Sequence, residues 1–308
     1  MKLVVAVGGN ALLQRGEVPL VEIQEGHVAT AVDALAPLAA DHDLVITHGN
    51  GPQVGLLANE SALDPDLPGP YPLDVLGAES QGMIGYFLLQ AFQNALPQRM
   101  VVNLICQTEV AADDPAFENP TKPIGSFMDA EQAERRRREE GWVLIEDANR
   151  GYRRVVASPQ PLRIVELPAI RSLITAGTVV ITAGGGGIPV VVAENGDLTG
   201  VPAVIDKDLA AALLAGDLGA DLLLITTAVE KVALNFGTPK QRWLDRLTLS
   251  EAKAYLASGT HFAKGSMAPK MQAMIEYLER GGTEGIITDT PNVDRALNGE
   301  TGTRITRD

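Results

Sequence analysis

Short apolar runs rich in β-branched residues recur along the chain: Leu3 to Val7, Leu44 to Thr47, Val179 to Thr182, Leu222 to Val229 and Gly285 to Thr288. They are continuous rather than alternating, which is the pattern of strands buried on both faces of a parallel sheet. Stretches of helical spacing lie between them. Ile23 to Ala39 carries Ala31, Ala34, Leu35 and Leu38 on one side, Leu73 to Tyr86 is a glycine-bearing helix suited to close packing, and the helix from Lys270 to Gly281 turns Met271, Met274, Ile275 and Leu278 inward. The alternation of the two periodicities predicts an α/β fold. Met100 to Val110 reads as one more buried strand, Val191 to Leu198 as a hairpin around Asn195-Gly196, Val232 to Trp243 as a mixed loop, and Thr303 to Thr306 as a closing strand. Thr248-Leu249-Ser250-Glu251 matches a capping box.

Residues 115 to 163 break this rhythm. Prolines 115, 120, 123, 159 and 161 bracket a helix that Asp129 caps and Gly141 stops, with acids early and Arg135 to Arg138 late, as the helix dipole favours. Two strand-like runs follow, Trp142 to Ile145 and Tyr152 to Ala157. The segment reads as a small lobe inserted into the main domain. Its four arginines read as a solvated helix face ahead of a nucleic-acid surface.

Three of the buried runs end in glycine turns: Gly8-Gly9-Asn10, Gly49-Asn50-Gly51 and Gly184-Gly185-Gly186-Gly187. Such turns let backbone N–H groups approach a ligand closely, which suits phosphate. Four successive glycines weaken regular structure, so close approach to a ligand accounts for them better than packing. Neither a Walker A motif nor a full G-x-G-x-x-G is present in these turns. Pro52 suits a first helical position after the second turn, and His48 before it reads as structural rather than as a general base.

Two lysines stand where a helix would not choose them. Asp206 caps a helix whose first turn holds Lys207 and Asp208, and Pro269 suits the start of a helix in which Lys270 follows directly. Each lysine alone reads equally well as a solvated surface residue. Together with the glycine turns they suggest phosphoryl transfer by positioning and charge, with Asp208 as counter-ion to the ammonium groups.

Composition narrows the setting. A net charge of −14 argues against a general nucleic-acid or membrane-surface binder, so positive charge for an anionic ligand must be concentrated locally. The single cysteine, Cys106, is expected inside a buried strand, which excludes a disulfide framework and suits the cytoplasm. Glycines interrupt the apolar start at once, and no run approaches about 20 apolar residues, so neither a secretory leader nor a membrane span is expected. No Cys/His spacing suggests a bound metal.

Nearly the whole chain resembles the carbamate kinases of the amino-acid kinase superfamily. The resemblance rests on the glycine turns with their flanks, on Ser80-Gln81-Gly82-Met83-Ile84-Gly85-Tyr86, Asn119-Pro120-Thr121-Lys122-Pro123-Ile124-Gly125 and Ile205-Asp206-Lys207-Asp208, and on His261 to Lys270. It implies one domain over 1–308, an open three-layer αβα sandwich with a mainly parallel sheet, and a lid formed by the 115–163 lobe. It also implies a cytoplasmic homodimer that interconverts ATP plus carbamate with ADP plus carbamoyl phosphate and works toward ATP, Mg²⁺ arriving on the nucleotide phosphates. Carried over by motif, Gly8, Gly9 and Asn10 would hold the transferring phosphate, Gly49, Asn50 and Gly51 the carbamate end, and Gly184, Gly185 and Gly186 the phosphate track. Lys207, Lys270, Asp208 and the lid's Lys122 would be catalytic, and Ala228, Val229, Asn235, Phe236 and Met267 would contact the nucleotide. Two residues depart from the pattern: Ser126 stands where proline is expected, and Glu79 where an apolar residue is expected. Another small-acid kinase of the superfamily and a silent regulatory paralogue are the alternatives. The Asn-Pro-Thr-Lys-Pro lobe counts against the first and the presence of both lysines against the second.

Overall fold

A computed structural model of the chain describes all residues except 10, 11, 15, 16, 64, 65, 67, 68, 147–150 and 264. The first half holds β1 (Lys2–Val7), α1 (Val21–Leu35), β2 (Asp43–His48), α2 (Gly51–Ser61), α3 (Leu73–Ala95), β3 (Val101–Leu104) and β4 (Gln107–Glu109). The inserted segment contributes β5 (Lys122–Met128), α4 (Ala130–Glu140), β6 (Leu144–Glu146) and β7 (Tyr152–Val156). Next come β8 (Arg163–Ile164), α5 (Leu167–Thr175), β9 (Val179–Thr182), β10 (Ile188–Val192), β11 (Leu198–Gly200), α6 (Lys207–Leu218) and β12 (Leu222–Thr227). The chain closes with β13 (Val232–Leu234), β14 (Arg242–Leu244), β15 (Arg246–Thr248), α7 (Leu249–Ala257), α8 (Met267–Glu279), β16 (Glu284–Asp289), α9 (Val293–Leu297) and β17 (Thr303–Thr306).

The main sheet has the order β15-β17-β16-β12-β1-β2-β9-β3 and is parallel except where β16 meets β17. Its strands explain the unbroken apolar runs. Leu3, Val5 and Val7 face one layer, with Val28 and Val32 of α1 and Leu88 and Phe92 of α3, while Val4 and Ala6 face the other, with Ile170 of α5, Leu214 of α6 and Met274 of α8. Successive side chains alternate between faces, so a strand covered on both sides must be apolar at every position. The result is a three-layer αβα sandwich.

Several elements differ from expectation. Met100 to Val110 is two strands, β3 in the main sheet and β4 in a second sheet ordered β11-β10-β4-β8. The break falls where Gln81 grips Cys106, its Oε1 accepting from the Cys106 N–H at 2.9 Å and its Nε2 donating to the Cys106 carbonyl at 3.0 Å. Cys106 is therefore buried, as expected, but lies between strands. The first helix ends at Leu35 and continues as a 3₁₀ turn, because Pro37 cannot donate to the preceding turn. Val232 to Trp243 contains the hairpin β13–β14 rather than a loop.

Within the inserted segment β5, β7 and β6 form an antiparallel sheet with α4, whose Asp129–Gln132 capping box and left-handed Gly141 bound it as expected. Ile124 of β5 packs with Val54 and Ala58 of α2 and Val204, and Gly55 lies so close to Gly125 that a side chain on Gly55 has no room.

Candidate active site

Parallel strands deliver their following turns to one edge of the sheet. Gly8 and Gly9 follow β1, Gly49 to Gly51 follow β2, Gly185 follows β9, Thr226 and Thr227 end β12, and Ala228 comes next. All of these line one cavity of about 350 Å³, with Asp206, Lys207 and Asp208 of the α6 start, Pro269 and Lys270 of α8, and Lys122 of β5. Asn10 lies outside the described residues.

The centre of the cavity is a shared carboxylate. The Asp206 side chain caps α6 by accepting the Asp208 N–H at 2.9 Å. Lys207 Nζ bonds to Asp208 Oδ1, and Lys270 Nζ donates to Asp208 Oδ2 at 2.9 Å. Burial opposes ionisation of Asp208, but the two ammonium groups outweigh it and hold its carboxyl well below the usual carboxylate range. Burial also pulls Lys207 below its ordinary value, whereas Asp208 outweighs burial at Lys270 and raises it. Lys122 crosses from the lobe to bond with Asp206 Oδ2, so the residue that caps α6 also ties the lobe to the cavity.

Pro269 is not the first helical residue. The helix begins at Met267, which places Lys270 fourth in the helix rather than second. Pro52 likewise follows Gly51, the first residue of α2.

The glycines divide by what surrounds them. A side chain on Gly184 would enter the His48 ring, one on Gly185 the Asn50 side chain, and one on Gly186 would come within 2.7 Å of the Ile205 carbonyl; Gly185 and Gly186 also have φ of +63° and +93°. Packing and backbone conformation therefore demand this run, contrary to the expectation that ligand approach explains it better, and of its residues only Gly185 lines the cavity. Hydrogen bonds sort the turns further. The N–H of Gly8 donates to Thr226 Oγ1 at 3.0 Å, that of Gly49 to Val7 at 3.1 Å, and that of Gly186 to Ala183 at 3.1 Å. Among the described residues no acceptor takes the N–H groups of Gly9, Asn50, Gly51 or Gly185.

His48 is buried beneath this wall, with its Nδ1 3.0 Å from the Gly49 carbonyl. Burial pushes its pKa down to about 4, aided by Lys207 and opposed by the Gly49 bond. It is neutral near pH 7, in keeping with a structural role. Asn50 is oriented by a relay in which its Nδ2 donates to Ser80 Oγ at 2.8 Å and Ser80 donates to the Gly77 carbonyl at 2.8 Å.

The residues expected at the nucleotide separate. Ala228 lines the glycine-walled cavity and Val229 does not. Asn235 and Phe236 line a second cavity of about 590 Å³ with Lys240 and His261, whose Nδ1 is 3.0 Å from Asn235 Oδ1. Met267 packs against the core and lines neither cavity. Thr226 and Thr290 had no local signal in the sequence for a place in the cavity, and the Ser80 to Tyr86 motif gave no sign that Ser80 bonds Asn50, thirty residues away.

The family model of the amino acid kinase family matches residues 1–289. The carbamate kinase of Thermococcus kodakarensis is 46% identical, the match covering 100% of this chain and 99% of that protein. The carbamate kinase-like protein YahI of Escherichia coli is 48% identical over 98% of each. Among solved structures, carbamate kinase from Giardia lamblia bound to AMP-PNP superposes with a TM-score of 0.88 at 42% identity, covering 100% of this chain and 98% of that one. A sandwich of this topology, a sheet edge of glycine turns and full-length likeness of this order agree with one another, and the chain belongs to the amino acid kinase family.

Proposed function

We propose that the protein is a carbamate kinase, transferring a phosphoryl group reversibly between ATP and carbamate, with net flow toward ATP. The observation that carries this reading is the Lys207–Asp208–Lys270 cluster beside backbone N–H groups that have no acceptor among the described residues, in one cavity of a chain 46% identical over its whole length with a carbamate kinase. Phosphoryl transfer asks a protein chiefly for fixed positive charge around the migrating group and for alignment of donor and acceptor. Lys207 and Lys270 supply the charge, and Asp208 fixes where both ammonium groups stand. Gly8, Gly9 and Gly185 cradle the moving phosphoryl, and the family motif adds Asn10 to that role. Carbamate has no side chain to grip, so the Asn50 and Gly51 N–H groups at the start of α2 serve its carboxylate. Gly184 and Gly186 act by keeping Gly185 in place.

Ala228 and Val229, which follow β12, contact the nucleotide near its phosphates, Asn235 and Phe236 form the wall for the base, and Met267 completes the nucleotide-binding set. Asp206 and Asp208 are each bonded to lysine. Mg²⁺ would arrive on the nucleotide phosphates, where it neutralises their charge.

Residues 115–163 act as a lid on the single domain of 1–308, supported by the Lys122–Asp206 bond across the cavity. A homodimer is the expected assembly, supported by Val75 and Tyr86, apolar residues that α3 leaves exposed. A cytoplasmic setting is supported by the lone buried thiol, and no helix among the described residues is long and apolar enough to cross a membrane.

The test is a coupled assay for ATP formed from MgADP and carbamoyl phosphate, with acetylglutamate and aspartate as competing acceptors in the ATP-consuming direction. Faster turnover of an amino-acid acceptor than of carbamate would reject the assignment. Nucleotide binding without any turnover would instead mark a silent paralogue.

A further inference from the structure

The four successive arginines of α4 lie on a largely exposed helix face, as expected, but they divide by what they meet. Arg137 and Arg138 pair with Glu134 and Glu139 of their own helix. Arg135 and Arg136 instead line a third cavity, about 270 Å³, between the lobe and α2, together with Arg154, Trp142, Asn59 and Gln132. Arg136 and Arg154 both lie over the Trp142 ring, 5.1 and 4.5 Å from its centre. Arg136 is bonded to Glu140, whereas among the described residues no carboxylate pairs with Arg135 or Arg154. No acidic side chain is among the described residues that line the cavity. Burial disfavours the charged form of Arg154, and Glu140, the acid that opposes this at longer range, is already held by Arg136.

Glu140 offsets one of the three guanidinium groups on this concave wall, which leaves the charges of Arg135 and Arg154 without a paired carboxylate among the described residues and favours an anion between them. In a protein of net charge −14 such a concentration is a local feature of this cavity, not a general property of the surface. Guanidinium forks match phosphate oxygens in pairs, Asn59 and Gln132 add neutral donors, and the volume exceeds what a single halide would fill. We infer that this cavity is a second, non-catalytic site for a small multivalent phosphate anion held by Arg135, Arg136 and Arg154. Ile124 of β5 lines both this cavity and the one that holds Lys122, so the two sites share a strand.

Trp142 is the reporter. In full-length Trp243→Phe protein it is the sole tryptophan, and titration with pyrophosphate should change its fluorescence saturably. Arg135→Gln and Arg154→Gln should each raise the apparent Kd about tenfold, the scale of one charge-assisted contact. Arg135 is exposed at the rim, so its variant folds even if that of Arg154 does not. The Lys207→Ala, Lys270→Ala double variant should leave the titration within about twofold, as expected of separate sites. Three results overturn the inference: no saturable change, an equal change with sodium chloride at matched ionic strength, or a response that survives the arginine changes and is lost with the lysines. Binding is read without turnover, so failure of the carbamate kinase assay leaves this test intact.

Discussion

Lys270 Nζ stands 2.9 Å from Asp208 Oδ2 while Lys207 Nζ is bonded to Asp208 Oδ1, so one buried carboxylate divides its two oxygens between ammonium groups brought from α8 and α6. Removing either lysine leaves Asp208 with its other partner, and the helices keep their packing. Lys207→Ala and Lys270→Ala are expected to fold and to lower turnover by about two to three powers of ten, the scale of losing one transition-state donor. Near-wild-type turnover in both would refute their role.

Removing the carboxylate is a different experiment. Asp208→Asn leaves two buried ammonium groups without their shared counter-ion, at an expected cost of about 3–5 kcal/mol in urea unfolding. The Asp208 pKa is depressed by folding, so its stabilisation is complete above the ordinary carboxylate value and is lost as pH falls through the folded value. On the acid side the gap between wild type and variant should stay constant down to about pH 5 and narrow only below about pH 4, whereas on the alkaline side it should shrink as the two lysines of the variant, no longer held charged by Asp208, lose their protons. A gap that already narrows as pH falls from about 7 to about 5 would contradict the cluster.

His48 acts in a neighbouring pH window. The folded protein keeps it neutral down to about 4, whereas the unfolded chain protonates it near 6.5. The unfolded state thus binds more protons between these values, and stability should rise with pH across them by about 3 kcal/mol from this group alone. His48→Asn should remove that part of the rise. Identical pH dependence in both proteins would show that the ring is not held neutral.

The glycines of the cavity separate steric from functional roles. A side chain on Gly51 meets no protein atom, so Gly51→Ala should fold normally, and Gly51→Val should raise the KM for carbamoyl phosphate more than that for ADP. Gly185→Ala combines a positive φ with a clash on Asn50 and should cost about 2 kcal/mol or more of stability. Weakened ADP binding alone in Gly51→Val would move the carbamate site elsewhere.

The lobe offers a test by proteolysis. Cleavage is expected first within residues 115–163, slowed by MgADP with carbamoyl phosphate, and faster in Lys122→Gln, which loses the bond to Asp206. Equal cutting in all three conditions would remove the lid.

What the sequence determined by itself was what a few neighbouring residues can encode. Leu3 to Val7 and Leu222 to Val229 announced strands covered on both faces, the second ending two residues early at Thr227, Asp129 with Gln132 and Thr248 with Glu251 wrote their own caps, and Asp206 placed Lys207 in the first turn of α6. The tertiary structure decided what depends on residues distant in sequence. Gln81 splits the strand at Cys106, Thr226 takes the N–H of Gly8, and His48, Asn50 and Ile205 dictate glycine at 184 to 186, where sequence alone suggested a ligand. Lys270 reaches Asp208, and Lys122 reaches Asp206, only because α8 and β5 pack where they do. Local propensity is fixed by near neighbours along the chain, whereas a hydrogen bond or a clash between residues two hundred positions apart exists only once the sheet has brought their strands side by side.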